Sequence, residues 1–576
     1  MPGGRERRGG GFLFSSRLDE TVFTPEMFTA DQLALHDTVA AFTAKEVIPR
    51  TPELERKEPG LLPSLLRKMG ELGGLGLDVP EEYGGTGQSK VTSMLVSEAT
   101  SQEANWTVTF GAHTGIGSLP IVFFGNAEQK ARYLPKLATG EWVAAYALTE
   151  SGSGSDALNA RATARLSSDG KHWILNGQKQ WITNAGFADV FTVFAKIDGE
   201  RFSAFIVEKG YPGVSVGPEE NKLGIRGSST RTLILEDTPV PVGNLLGEAG
   251  KGHKIAFNIL NVGRLKLGIF AVGGVKSILK QGLKYPQERK QFGKPIIEFG
   301  LIREKLSNII VDLYALEAMG YRAAGGIDEF IAETSKGMEG LEEFNVESSI
   351  LKVYGSELLF RTADEALQIL GGYGYMEDYP VAKVYRDVRI NRIFEGTNEI
   401  NRMLVPGVIL KRAMKGELPL MDEYTALDPD NVPTYRLPDA PLARATEQAR
   451  ILAVVLTGKA VAKHMMELEN QQEILAALAD VMMSAYALDS VRRRVAHTGG
   501  APDHQLLGET FAAGEVDRVI ARASRLALDL GGPELRKQLS TVLEPLPLNR
   551  MEGLRQVATA LVEHNGYWLG ASAPRK

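Results

Sequence analysis

At 576 residues the chain is too long for one compact core, and its 43% hydrophobic and 24% charged content is that of a globular protein of about three or four domains. A formal charge of −6 argues against nucleic acid as a partner, because a phosphate-binding surface needs a basic excess. The lack of cysteine removes disulfides, thiolate metal sites, iron-sulfur clusters and cysteine nucleophiles together, and the eight histidines hold no pair at helical metal-ligand spacing, so no metal is expected.

In chain order, MPGGRERRGGGFLF carries neither the apolar core of a signal peptide nor the length of an amphipathic transit sequence. Residues 1–28 read as an N-terminal tail with a solvated cluster at Arg5 to Arg8, and the expected compartment is cytoplasmic. No apolar run approaches a membrane span; the nearest, Ile451 to Leu456, is soon followed by Lys459. From 29 to 144 the pattern is helical, with Leu33, Leu35, Val39 and Phe42 in one segment and Leu62, Leu65, Leu66 and Met69 in the next. The period changes near Trp142. A β domain over 145–251 is expected from the runs WVAAYAL, ATARL, HWIL, FTVFAK, FSAFIV and TLILE, with tight primed turns at Asp169-Gly170, Asn176-Gly177 and Asp198-Gly199.

Helical spacing returns over 252–412, as in Leu306, Ile309, Ile310, Leu313, Leu316 and Met319, which predicts a helical bundle domain. Prolines 419, 429, 433, 438 and 441 among polar residues mark a linker over 413–441. Beyond it, Ile474, Leu478, Val481, Ala485 and Leu488, then Ile520, Ala523, Leu526 and Leu530, predict an additional helical domain over 442–576. The fold class is α+β, mostly α. The extra helices either bury their stripes on the main body or dock on a membrane surface through Lys459, Lys463 and Arg492 to Arg494.

Chemistry concentrates in RIFEGTNEI, which sets Glu395 between Phe394 and the pair Gly396-Thr397. A carboxylate desolvated there has its pKa raised toward the range of a working base; a helix-end surface charge is the plainer reading. YALTESGSGSD leaves a strand for a loop of small residues whose Thr149 and Ser155 hydroxyls suit a polar heterocycle or phosphate. Its match to GxGxxA is set aside because strands, not a helix, follow. KQWITNAG puts Trp181 and Thr183 on one side of a strand, where an indole and a hydroxyl grip a flat ring, unless the tryptophan is core. ERKQFGK offers Arg289 and Phe292, QILGGYGY a double glycine, and NVGR a helical Arg264 that meets an anion or pairs with a carboxylate.

These stretches, together with LGIRGSST, closely resemble in order and spacing the acyl-CoA dehydrogenases, and the long C-terminal extension resembles the very-long-chain branch. The resemblance implies an N-terminal helical domain, a middle β-barrel or sandwich domain and a C-terminal four-helix bundle plus the extra helices. It implies FAD, a homodimer and an electron-transfer flavoprotein as electron acceptor. It makes Glu395 the base that removes the α-proton of an acyl-CoA, with the backbone N–H of Glu395 polarising the thioester carbonyl. FAD contacts carried over are Tyr146, Leu148, Thr149, Gly154, Ser155, Trp181, Ile182, Thr183, Arg289, Gln291, Phe292, Gln368, Gly371, Gly372, Thr397, Asn398 and Glu399, the 289–292 and 368–372 groups reaching a neighbouring subunit's cofactor. Substrate contacts are Ser155, Asn261, Arg264, Phe394 and Gly396. Ser151 departs from the family's usual proline, and 325–343 is longer than usual. The implied activity is α,β-dehydrogenation of a long-chain acyl-CoA to trans-2-enoyl-CoA in fatty acid β-oxidation; an assembly or scaffold protein on the same fold and an oxygen-using acyl-CoA oxidase are the alternatives.

Overall fold

The computed structural model describes residues 8–14, 21–427 and 437–573. The N-terminal helices are α1 Ala30–Phe42, α2 Thr51–Glu55, α3 Leu61–Glu71, α4 Lys90–Ala99, α5 Ala104–Gly111, α6 Leu119–Phe124 and α7 Ala127–Thr139. Capping boxes start α1 and α7: the side chains of Thr29 and Asn126 accept the N–H groups of Gln32 and Gln129, whose amides accept in return. Gly140, at φ 71, stops α7 and turns the chain into the sheet.

The middle sheet comprises β1 Ala144–Ala147, β2 Thr163–Leu166, β3 His172–Thr183, β4 Val190–Ile197, β5 Arg201–Glu208, β6 Val214–Val216, β7 Thr230–Pro241 and β8 Leu245–Leu246. Its order is β6-β7-β3-β2-β4-β5-β8, with β1 parallel to β4. Asp169-Gly170 joins β2 to β3 and Asp198-Gly199 joins β4 to β5, the latter at φ 54 and 79 as a primed turn requires. The expected turn at Asn176-Gly177 is corrected: both residues lie inside β3, where the register slips between Leu175 and Gly177. Gly177 takes φ 146, and a Cβ there would lie 2.7 Å from that of Ala162. Asn176 closes the irregularity by hydrogen-bonding Asp237 twice, so the dipeptide makes a bulge rather than a hairpin.

The bundle that follows is α8 Gly252–Gly282, α9 Lys284–Glu288, α10 Gly300–Thr334, α11 Gly337–Glu343, α12 Asn345–Leu370, α13 Pro380–Val388 and α14 Asn398–Met414. Between α9 and α10 a small hairpin pairs Lys290–Gln291 with Lys294–Pro295. Gly268 and Gly355 let α8 and α12 approach closely; a Cβ on Gly355 would sit 3.2 Å from the Gly268 Cα. The additional helices are α15 Leu420–Ala426, α16 Pro441–His464, α17 Gln472–His497, α18 Pro502–Gln538, broken at Gly532, and α19 Arg550–Glu563. Helix α17 lies on α10 and α14, and α19 lies on α10, so the extension buries its stripes on the bundle.

Four expectations change. Three helical stretches, Ala104–Phe124, Gly252–Glu288 and Gln472–His497, are long and apolar enough to cross a membrane, but 72%, 78% and 78% of their apolar windows are buried in protein. Helices central to a bundle are apolar all round, which is why length and hydropathy match a span. The linker is partly structured: 413–414 finish α14, α15 is helical, and Leu418 and Leu420 are buried, while 428–436 fall outside the described residues. The basic cluster is only partly a surface feature: Arg494 is fully buried and buried Arg493 pairs with Asp489 at 2.9 Å, while Lys463 is exposed and donates to the Asp529 carbonyl.

The fourth change concerns the tail. Phe12 and Leu13 are buried, with the Phe12 ring 4.9 Å from that of Tyr486 on α17. Gly10 donates to Glu347 at 2.7 Å and Arg412 donates to the Gly9 carbonyl at 2.8 Å. A Cβ on Gly9 would lie 1.9 Å from the Glu343 carbonyl oxygen, so only glycine threads there. Glu343, at the end of the long 325–343 stretch, accepts from both Gly9 and Arg412.

A buried charge cluster joins the parts. Arg494 reaches Glu317 and Glu26 at 2.7 Å each, and Lys276 on α8 reaches Glu317 at 2.5 Å and Glu98 on α4 at 2.7 Å. Removing one partner from such a network strands the others without water, so Arg494→Met will cost roughly 3–5 kcal/mol. Denaturant unfolding of the two proteins checks this; equal stability would mean that the extension is held by apolar contact alone.

Candidate active site

Glu395 and Gly396 are consecutive left-handed residues, at φ 58 and 81, between the end of a short turn and the start of α14. A non-glycine residue in that region is strained and persists only when its surroundings hold it there. Three side chains do so. Arg264 on α8 donates Nε to the Glu395 carbonyl at 3.1 Å, Lys352 on α12 donates Nζ to the Gly396 carbonyl at 2.6 Å, and Asn401 donates Nδ2 to the Gly396 and Thr397 carbonyls at 2.9 and 3.0 Å. Asn261 in turn accepts from Arg264 at 2.8 Å.

So fixed, the Glu395 side chain turns toward α8 and faces Gly263, where a Cβ would come within 2.7 Å of the carboxyl. Its Oε2 is buried with no hydrogen-bond partner. Burial pushes the carboxyl up to about 7, against the opposing pull of Arg264 and Lys352. Among the described residues nothing accepts the Glu395 N–H. The turn therefore presents a base and a donor side by side.

Glu395 stands in the wall of a cavity of about 360 Å³ that also touches Thr183, Phe394, Gly111 and Phe270. The cavity follows one face of α8, through Gly263, Leu267, Phe270, Gly274, Ile278 and Gln281. At about 1.5 Å per residue that run rises roughly 27 Å, longer than an extended palmitoyl chain. Glycines let its walls pack closely at two points: a Cβ on Gly111 would strike the Phe270 ring at 2.8 Å and one on Gly274 would strike Leu359 at 2.9 Å.

The sheet supplies the other side. Tyr146 and Leu148 are buried, the Tyr146 hydroxyl donating to the Ala256 carbonyl, and Thr149 is half-buried with its carbonyl bonded to the Gln180 N–H at 2.8 Å. Gly154 and Ser155 stand exposed on the loop that follows. A buried pair that the sequence reading missed, Lys179 and Glu150 at 2.6 Å, ties this loop to β3. Trp181 is 58% exposed and Thr183 half-buried, on either side of buried Ile182. The register of β3 slips between Lys179 and Ile182, and Trp181 takes φ 59, so the indole is aimed outward by a bulge rather than by regular alternation. It is not a core tryptophan.

Two residues carried over from the motifs are engaged inside the protein. The Asn398 side chain is spent inside the protein on Lys352, Ser356 and Glu357, and it supports the turn rather than facing a ligand. Arg264 is buried, braces the Glu395 carbonyl, and its charge opposes the upward shift of the Glu395 carboxyl. Thr397 caps α14 by accepting the Ile400 N–H, and Glu399 is exposed.

Arg289, Gln291, Phe292, Gln368, Gly371 and Gly372 gather on a different surface, where the Arg289 guanidinium lies 6.0 Å from the Tyr373 ring centre and Phe292 is 94% exposed. From Lys352 beside the base to Gln368, α12 alone rises about 24 Å. Within one chain the two groups are not brought together. Lys352, Asn401 and Gly263 were missed by the sequence reading; a lone lysine in the apolar stripe of Ile350 and Val353 was the available signal.

An exposed flat indole at the end of β3, two residues before a threonine, Thr183, that lines a cavity holding an orphaned buried carboxyl, fits a flat polar heterocycle stacked against a substrate. That arrangement is the site of a flavin-dependent dehydrogenase. The sequence matches family models described as acyl-CoA dehydrogenase N-terminal domain over 29–141, middle domain over 145–238, and C-terminal domain over both 250–410 and 448–543. It is 44% identical to a probable acyl-CoA dehydrogenase of Bacillus subtilis across 97% of this chain and 98% of that one. It is 37% identical to the human mitochondrial very long-chain specific acyl-CoA dehydrogenase across 80% of this chain and 70% of that one. A crystal structure of an acyl-CoA dehydrogenase complexed with FAD from Bacillus anthracis superposes with a TM-score of 0.94 at 46% identity, covering 98% of this chain and all of that one. The chain belongs to the acyl-CoA dehydrogenase family and is an FAD-dependent oxidoreductase acting on acyl-CoA.

Proposed function

We propose that the enzyme dehydrogenates long-chain acyl-CoA to trans-2-enoyl-CoA in fatty acid β-oxidation, with Glu395 as the base and an electron-transfer flavoprotein as acceptor. The cavity along α8 supports the chain-length reading, since its lining runs from Gly263 to Gln281, a rise of roughly 27 Å on that helix. Thr149, Trp181 and Thr183 would hold the flavin ring; FAD, when bound, accepts the hydride from the β-carbon. The chain itself does the acid-base work. The Glu395 carboxylate takes the α-proton, while its own N–H donates to the thioester oxygen as charge builds there. Phe394 and Gly263 would hold the acyl chain against the carboxylate.

A homodimer accounts for the second surface. Arg289, Phe292 and the Gln368 to Gly372 stretch are exposed and far from their own chain's base, as residues serving a neighbouring subunit's FAD would be. The exposed Trp181 edge gives electrons a route out to a soluble acceptor.

Anaerobic addition of saturated acyl-CoAs of increasing length tests the reading. Flavin bleaching should be fastest with chains of palmitoyl length or beyond and slowest with butyryl-CoA. A butyryl-CoA rate equal to or above the palmitoyl-CoA rate would overturn the long-chain assignment.

A further inference from the structure

Lys352 lies inside the bundle with no exposed surface, yet among the described residues no carboxylate pairs with it within contact distance. Its ammonium donates instead to two uncharged oxygens, the Gly396 carbonyl at 2.6 Å and the Asn398 Oδ1 at 2.7 Å. A buried cation is expensive unless its hydrogen bonds are well used, and here both go to the residues immediately after the base. The contacts continue outward. Asn398 donates to Glu357 at 3.1 Å, Arg402 grips both oxygens of Glu357 at 2.8 and 3.1 Å, and the same Arg402 donates Nε at 2.8 Å to Asp480 on α17 of the extension.

We infer that Lys352 is the positioning residue for Glu395: it locks the left-handed Glu395-Gly396 turn through the Gly396 carbonyl, and Asp480 of the extra helices braces it from outside through Arg402, Glu357 and Asn398. This rests on Glu395 being the base. A carbonyl anchored one residue past a strained glutamate fixes where that side chain points, and a misplacement of about 1 Å in a reacting group costs on the order of 100-fold in rate. The ammonium also acts at a distance. Charged and titratable groups facing the pair are Arg264 from α8, Tyr146 from β1, Glu357 from α12 and Glu399 from α14. Burial pulls Lys352 down to about 7 and pushes Glu395 up to about 7, and the attraction between the two charges opposes both shifts.

The test is Lys352→Met in the full-length holoenzyme, read by anaerobic bleaching with palmitoyl-CoA and, without substrate, by infrared difference titration of the Glu395 carboxyl. The expected result is bleaching slowed about 30- to 100-fold, with the carboxyl midpoint moved to higher pH because a neighbouring cation is gone. Lys352→Arg should return the midpoint to the wild-type value. Bleaching at the wild-type rate, or a slow variant whose midpoint has not moved, overturns the inference. Should Lys352→Met lose the flavin, Asp480→Asn decides: it should bleach a few-fold slower at unchanged flavin content and melting temperature, and a wild-type rate overturns the brace. A failure of the underlying reading looks different, because Glu395→Gln would then bleach as fast as wild type.

Discussion

Glu395→Gln will abolish the carboxyl's infrared titration and slow anaerobic flavin bleaching by about 1,000-fold or more, toward the upper end of what a positioned base contributes. The amide keeps the size and burial of the carboxyl, so FAD content and melting temperature should stay within error of wild type. The pH dependence follows from the same group. Only the ionised form accepts the α-proton, and burial has raised the carboxyl to about 7, so the wild-type rate should climb through neutral pH and level off above it. An ordinary exposed glutamate would instead give a profile already flat at pH 6. The profile and the substitution fail separately: a flat profile with a dead variant would mean that substrate binding drives Glu395 back to its usual range, whereas an active variant would remove it from the chemistry.

The site was legible where it is contiguous and obscure where it is assembled. RIFEGTNEI puts the proposed base, the left-handed glycine and the α14 cap in one run, but the residue types alone left a helix-end charge as the plainer reading, and the accompanying motifs in their family order singled out Glu395. The support was legible only at Arg264: Lys352 and Asn401 come from two other helices, and nothing near Lys352 in sequence marks it as facing a turn some 40 residues later. The same holds for the fold. Strands with period two and helices with apolar stripes announced themselves because each buries its own face locally. Gly9 to Leu13 did not, since five residues carry no period, and their burial is supplied by Glu343, Glu347, Arg412 and Tyr486 from far along the chain. Asn176-Gly177 misled for a related reason: the dipeptide encodes positive φ, which a bulge needs as much as a hairpin does, and only the partner strand β7 decides between them.

Two left-handed non-glycine residues line the cavity, Ile225 and Glu395 at φ 45 and 58, and each is held by another part of the protein. Ile225 donates its N–H to Asp387, which pairs with Lys383 at 2.6 Å, and Lys383 reaches Glu103 on the N-terminal side at 2.8 Å. Strain at a β-branched residue is tolerated here because the sheet, the bundle and the N-terminal helices all meet at this wall.

Gly263→Ala separates stability from activity most sharply. In the interior of α8 an alanine is favoured over glycine by as much as about 1 kcal/mol, so on helix propensity alone the variant should be as stable as wild type or more so. Its Cβ, however, would lie 2.7 Å from the Glu395 carboxyl, and the carboxyl is the part that can yield, because the helix backbone around Gly263 is locked against the bundle. Displacing it by about 1 Å should slow bleaching on the order of 100-fold with flavin content unchanged. Shortening the base in the same background, as Glu395→Asp with Gly263→Ala, withdraws the carboxyl from the new methyl, so the aspartate should cost far less there than it does alone. A Gly263→Ala enzyme that bleaches within twofold of wild type would show that the carboxyl has room to spare, and the tight seat against α8 would no longer explain why a glutamate at φ 58 is held so firmly.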